Sequence, residues 1–430
     1  MYFSRALGAI ALFSSPLISV AEVNICRGKC QMDANGIKEC IFTMKVDLFA
    51  GELGYYTVEE CGNGRNPTLG IEHGVTNKFL QTDVSNYYHP LGLAYYVDGA
   101  HKEVDELEPT IMGDSNNIGS SCVDDSSCPA PMYFKNDEYL GTYSNDASIM
   151  AETTGEDNFG LDDYEPLFFY PLPAWREEGD FHVTLKYDEK NYTKDIFYFC
   201  HIHHGMSGVI KFIDSNGIAL STEKNELEIR DDYYDAEPSG FDATCGTFNL
   251  TDYQLPNQQC PDRFVCDLPE GNPELIQFSQ CIEAMDCHMV VSMTNKVQAQ
   301  DQRALFIHQM IPHHQNAVNM AKALMKSGKL NCDDILEENS DCQLEVILRE
   351  IVNNQNFQIQ AMKSILEANN WPLYDDCKVP IDGVDNDGTN VAKPDPDADM
   401  RETDPDSAAG SHGLDLFISV CALAITIALS

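Results

Sequence analysis

Three side chains that bind metals well are closely spaced near the middle of the chain. Cys200 ends an apolar, aromatic run, His203 and Met206 follow it, and a second apolar run, Val209 to Ile213, comes next. A hairpin of this length can direct all three side chains to one point. A thiolate, an imidazole and a weakly bound thioether at a longer distance are ligands of a mononuclear blue-copper centre. The spacing predicts such a site, and the alternative is a surface loop with a disulfide-bonded cysteine.

A blue-copper centre takes two histidines, so a further histidine ligand must come from elsewhere in the chain. His89 is preferred to His73 and His101, because its Asn-rich lead-in and the Pro-Leu-Gly that follows suit the end of a strand. Within the loop itself, His204 is the alternative ligand.

The Cys-x-x-His-x-x-Met loop and its flanking strands resemble the C-terminal copper loop of the cupredoxins in its short form. The resemblance implies an N-terminal all-β, cupredoxin-like sandwich with one type-1 copper held by His89, Cys200, His203 and Met206. Short alternating runs between Gly, Pro, Asn and Asp clusters favour the same architecture. A multicopper oxidase is excluded because Phe199 replaces a required histidine and no His-x-His pair occurs outside this loop.

A second group of histidines and methionines lies in the C-terminal half, where apolar residues recur at helical spacing. Several such helices joined by short loops predict an all-α four-helix bundle. Imidazole and thioether ligands favour copper, particularly Cu(I), over Mg, Ca or Mn. The alternative is that methionines at this spacing pack a core. The preferred ligands are Met310, His313, His314 and Met320, followed by His308, His288, Met289 and Met362.

Residues 280–372 resemble a poorly characterised family with a ferritin-like helical core, the domain of unknown function 305. Some members of that family are extracytoplasmic copper-binding proteins, so the resemblance implies copper binding here. Gln358 stands where the family has an acidic residue, which disfavours di-iron chemistry with its several inward Glu side chains. The matching residues are Met310-Ile-Pro-His-His, Ala317, Met320-Ala321, Ile351, Gln355, Ile359 and Met362.

Both ends of the chain carry sorting signals. Residues 1–21 combine a basic start, an apolar run and a small-x-small cleavage pattern, which is typical of a secretory signal peptide. Residues 407–430 predict a GPI-attachment signal with Ser407 as the lipid attachment site, and a tail anchor is the alternative. Asn191 and Asn249 begin glycosylation sequons, as in a secreted glycoprotein.

The cysteine count is consistent with an oxidising compartment. Of the 16 cysteines, Cys421 lies in the apolar tail and Cys200 is a predicted ligand, which leaves fourteen for seven disulfides. Disulfides are expected to stabilise the start of the sandwich, among Cys26, Cys30, Cys40 and Cys61. Close spacing predicts four local pairs: Cys122–Cys128, Cys260–Cys266, Cys281–Cys287 and Cys332–Cys342.

The sequence therefore predicts a multidomain, cell-surface copper protein. The expected parts are the sandwich at 22–230, a disulfide-rich linker at 231–273, the helical bundle at 274–377 and an acidic, disordered stalk at 378–406.

The net charge of −42 argues against nucleic acid as a partner. The expected partners are copper ions, a redox partner or copper acceptor, and a membrane reached through the lipid anchor. We expect copper capture, storage or handover with one-electron transfer rather than an enzyme. The alternative is a surface metal reductase or small oxidoreductase that uses the cupredoxin as an electron relay.

Overall fold

Alternating apolar residues produce the longest strand of the N-terminal region. In a computed structural model of the protein, β3 (Lys38–Asp47) buries Phe42, Met44 and Val46, while the side chains between them are more exposed. This is the period-two pattern of a strand with one face in a core. The structure describes residues 24–32, 36–49, 51–62, 64–102, 131–142, 163–188, 190–229, 234, 237–250, 257, 259–267 and 270–377.

Twelve strands form two sheets within these residues. The first sheet has the order β1 (Cys26–Arg27), β5 (Leu69–Ile71), β12 (Ser207–Phe212), β11 (Ile196–Cys200) and β7 (Leu91–Ala94). The second has the order β2 (Lys29–Met32), β3, β6 (Thr76–Gln81), β10 (Phe181–Lys186), β8 (Met132–Lys135) and β9 (Glu138–Thr142), with β4 (Tyr55–Val58) paired to β3. Both sheets are mixed, because β5 lies parallel to β1 and β12, and β3 lies parallel to β6.

Three long helices follow the sheets in sequence. Their starts carry capping side chains: Asn272, Asp301 and Asn339 each accept a hydrogen bond from a backbone N–H of the first turn. The helices are α1 (Leu172–Glu178), α2 (Glu226–Ile229), α3 (Gly240–Cys245), α4 (Pro273–Ser292), α5 (Gln302–Lys326) and α6 (Ser340–Ala368).

Helices α5 and α6 pack on the sheets and share their core. Val318 of α5 and Val352 of α6 belong to the same buried cluster as Phe42 of β3. Polar contacts join the same surfaces, since the Lys322 ammonium donates to the carbonyl oxygens of Gly51 and Glu52 at 2.9 and 3.0 Å. Removing the helices would therefore expose the sheet core.

The predicted fold class, a multidomain chain with an all-β sandwich and an all-α, ferritin-like four-helix bundle, is wrong. The sheets mix parallel and antiparallel strands, and α1 lies among them in sequence. The described C-terminal region contains three long helices, and two of these complete the core of the sheets. Helical periodicity shows which face of a helix is apolar, but that face can pack on a sheet as well as on another helix.

Two of the predicted local disulfides, Cys260–Cys266 and Cys281–Cys287, are wrong. The expected pairing of fourteen cysteines into seven disulfides is also wrong, because Cys266 and Cys377 are free. Cys281 and Cys287 both lie in α4, about 9 Å apart along its axis, which is too far for a disulfide. They pair instead with Cys245 and Cys260, so that two disulfides fasten the preceding segment to α4.

The other disulfides of the described residues agree with the sequence. Cys332–Cys342 is confirmed, and the four N-terminal cysteines pair as Cys26–Cys61 and Cys30–Cys40. The proposed pair Cys122–Cys128, the signal peptide, the stalk, and the tail with Ser407 lie outside the described residues. No described helix is long and apolar enough to cross a membrane.

Candidate metal centre

Strand register brings His89 beside Cys200. The antiparallel strands β7 and β11 place Leu91 opposite Cys200, and His89 lies two residues before Leu91. The loop after Cys200 closes on itself, since the Cys200 N–H donates to the carbonyl of Met206 at 3.2 Å. Gly205 adopts φ +80° in this loop, a conformation that disfavours side chains with a Cβ. His203 is thereby turned back toward the ends of both strands.

Three ligand atoms form a small triangle at this point. Cys200 Sγ lies 3.7 Å from Nδ1 of His89 and 3.7 Å from Nδ1 of His203, and the two nitrogens are 3.2 Å apart. All three side chains have zero exposed surface. Within the described residues this is the one group of three His, Cys, Asp or Glu side chains whose ligand atoms all lie within 4.8 Å of one another.

The triangle fits a single metal ion. A point equidistant from three atoms with these separations lies about 2 Å from each, close to the bond lengths of imidazole and thiolate ligands on a first-row metal such as zinc. Met206 is fully buried and belongs to the same core cluster as Cys200, and its axial role stays a prediction. A thiolate with two imidazoles and a weak thioether is the donor set of a blue-copper centre.

Burial keeps the three ligands in their neutral forms when no metal is bound. It lowers the pKa of His89 to about 3 and that of His203 well below its usual range, so both rings offer a free lone pair. Burial also raises the pKa of the Cys200 thiol to about 12, although the backbone N–H groups of His203 and Ile202 and the Tyr56 hydroxyl act in the opposite direction. A metal ion held by Cys200 would therefore have to displace the thiol proton.

Gln81 fixes the backbone on both sides of His89, a role that no pattern in the sequence indicates. Its Nε2 donates to the His89 carbonyl at 2.6 Å, and its Oε1 accepts from the Leu91 N–H at 2.9 Å and from the Tyr164 hydroxyl at 2.8 Å. The Tyr56 hydroxyl donates to the same His89 carbonyl at 3.1 Å. A buried amide thus holds the ligand strand in place.

Helix α6 covers the histidine side of the centre. The residue before His89, Tyr88, adopts φ +65°, which is rare for a bulky side chain, and its hydroxyl donates to Asn354 Oδ1 at 2.5 Å. Its ring also packs edge-on against Phe169 at 5.1 Å. The strained backbone just before His89 is therefore held in place by a hydrogen bond to α6.

A buried cation lies close to the same ligand. Lys322 of α5 has no exposed surface, and its ammonium group lowers the pKa of His89 in addition to the larger effect of burial. The centre is thus enclosed by the sheets on one side and by helices α5 and α6 on the other.

The other histidines considered near the loop have different partners. His73 Nε2 lies 2.8 Å from the Tyr192 carbonyl oxygen, and its ring stacks on Phe212. His101 Nε2 lies 2.8 Å from the carbonyl oxygen of Cys200, so it supports the ligand loop from outside. His204 is exposed and stacks on His101 at 4.1 Å.

Among the described residues, the predicted ligands of the helical region include no three His, Cys, Asp or Glu side chains whose ligand atoms converge. His308 Nε2 lies 2.7 Å from the Pro372 carbonyl oxygen, His313 is exposed, and its ring centroid is 6.0 Å from that of His314. Met320 is 37% exposed, Met310 is half-buried, and Met362 packs beside Trp371. His288 and Met289 are half-buried on α4. Copper binding by this region stays a prediction.

Comparison of the chain with protein-family models, with curated proteins and with solved structures finds no match. The resemblances to the cupredoxin loop and to the helical family therefore rest on the sequence motifs alone.

Proposed function

We propose that this protein holds one copper ion between His89, Cys200 and His203, with Met206 as a weak fourth ligand, and exchanges single electrons through it. The observation that supports this most is the triangle of buried Sγ and Nδ1 atoms, 3.2 to 3.7 Å apart. When bound, a copper ion in such a site cycles between Cu(I) and Cu(II). The protein supplies a rigid, water-excluded frame that changes little between the two states.

We propose the same location as the sequence predicts, on the outside of the cell and tethered through a lipid. Five disulfides among the described residues support an oxidising compartment. Asn191 and Asn249 are exposed, so both sequons are accessible to glycosylation.

The visible spectrum tests the copper proposal. The purified protein given one equivalent of Cu(II) should develop an intense thiolate-to-copper band, and metal analysis should find one tightly held copper. A colourless protein that retains zinc instead would mean that the same triangle is a zinc site. Copper that binds without the band would leave Cys200 outside the coordination sphere and overturn the proposal.

A further inference from the structure

A polar pocket opens beside the ligand loop, between the loop, the turn before β4 and helix α6. Its volume is about 300 Å³, and its lining includes His204, Gly205, Gln360, Lys363, Ser364 and Glu367. His204 and Gly205 directly follow the ligand His203 in sequence. The pocket is therefore close to the metal centre, although none of the three ligands has exposed surface.

A row of amide side chains on α6 extends from the metal centre to this pocket. Asn353, Asn356 and Gln360 are spaced by three and four residues, so they lie on one face of the helix over about 10 Å. Asn353 is at the inner end, where its side chain approaches the His89 ring and its backbone approaches the His203 ring. Gln360 is at the outer end, in the pocket lining.

The polar atoms of this row are poorly satisfied by the protein. Asn356 is 1% exposed, and neither its Oδ1 nor its Nδ2 has a hydrogen-bond partner. Asn353 Oδ1, Gln360 Oε1 and the Nε2 atoms of His89 and His203 also have no hydrogen-bond partner. Buried amides without partners are costly, so a continuous row of them calls for a functional reason.

We propose that the pocket is the entrance through which copper ions reach the metal centre, and that Asn353, Asn356 and Gln360 line the passage. This inference rests on the proposed copper function. The entrance offers the His204 imidazole and the Glu367 carboxylate, and the inner row offers amide oxygens. These ligands hold a partly dehydrated cation weakly enough to release it to the stronger thiolate site. Binding there forms a copper–sulfur bond at Cys200 and sends the thiol proton to solvent.

The rate of copper loading tests the passage. Metal-free protein is mixed with Cu(II) sulfate in a stopped-flow instrument, and growth of the thiolate-to-copper band is followed. Ser364→Trp fills the exposed mouth without touching the core, and we expect it to slow loading at least tenfold with an unchanged final absorbance. Gln358→Trp is the matched control, because Gln358 is exposed on the same helix outside the pocket lining. Its loading rate should stay within twofold of the wild type.

Asn356→Leu tests the buried part of the row. The side chains are similar in size, and the amide atoms of Asn356 have no partners to lose, so the variant should fold. We expect slower loading here too, with the same copper content at equilibrium. Equal rates in the wild type, Ser364→Trp and Asn356→Leu would overturn the passage while leaving the copper site intact. A wild-type protein that never develops the band would instead overturn the proposed function, and the passage with it.

Discussion

The loop after β11 and helix α5 contain the same kinds of side chain at similar spacing, and they arrange them differently. In the loop, a hydrogen bond between Cys200 and the Met206 carbonyl closes seven residues into a turn, and His89 comes from the segment just before the neighbouring strand β7. On α5, His313 and Met320 are exposed, and His308 faces the Pro372 carbonyl. Side chains three or four residues apart on a helix share a face but are displaced along the axis. Ligand types therefore indicate a metal site only where backbone geometry makes them converge.

The most severe test of this comparison removes the sulfur. Cys200→Ser should abolish the visible thiolate-to-copper band completely, because a hydroxyl cannot donate the charge-transfer electron density of a thiolate. Absorption spectroscopy with metal analysis measures the effect. Cys266→Ser is the matched control, since Cys266 is also a free cysteine but is exposed. A band that survives in Cys200→Ser, or disappears in Cys266→Ser, would place the copper thiolate elsewhere.

The next largest effect should come from the residue that holds the ligand strand. Gln81→Leu removes the amide that binds His89, Leu91 and Tyr164, and we expect a loss of about 3 kcal/mol of unfolding free energy, because buried partners are left unsatisfied. Urea denaturation measures this loss, and the visible band of the copper form should shift as His89 moves. Gln358→Leu, on the exposed face of α6, should change neither quantity. An unshifted band would show that Gln81 stabilises the fold without positioning the ligand.

Low pH should reduce the unfolding free energy of the metal-free protein, because burial lowers the pKa of histidine rings such as that of His101. The pKa of His101 is lowered to about 3 by burial, so the unfolded chain takes up protons more readily than the folded chain below about pH 6.5. The contribution of the neutral ring to the free energy of unfolding is therefore fully present above that pH. It falls as the pH decreases, by up to about 1.4 kcal/mol per pH unit for each such ring.

Urea denaturation curves recorded between pH 7 and pH 4 measure this dependence of stability on pH. His101→Leu should reduce the slope, whereas His313→Gln, at an exposed helical position, should leave it unchanged. Equal slopes in all three proteins would contradict the contribution of His101.

The smallest expected effect concerns the helical region. Because His313 and Met320 are exposed and lie about 10 Å apart along α5, His313→Ala combined with Met320→Ala should leave copper content and the visible spectrum unchanged. Titration with Cu(I) under anaerobic conditions measures the stoichiometry. If the double variant bound one copper fewer than the wild type, α5 would contain a second site.

The sequence was sufficient to predict that His89, Cys200 and His203 come together, because two of them lie within one loop and His89 lies near the end of a paired strand. It could not predict what covers them. The apolar stripe of α6, with Leu348 and Val352, looks the same whether it faces a helix or a sheet. The role of Gln81 was equally hidden, since a single amide inside a strand has no pattern of its own.

The buried ammonium of Lys322 has a consequence for the one-electron exchange that we propose. A fixed positive charge near His89 disfavours a further positive charge on a copper ion bound there. The low dielectric of the interior strengthens this repulsion. The repulsion should stabilise Cu(I) relative to Cu(II) and so raise the reduction potential. The protein would then accept electrons readily and release them only to a strong oxidant, and a lower potential in Lys322→Met would reveal this bias.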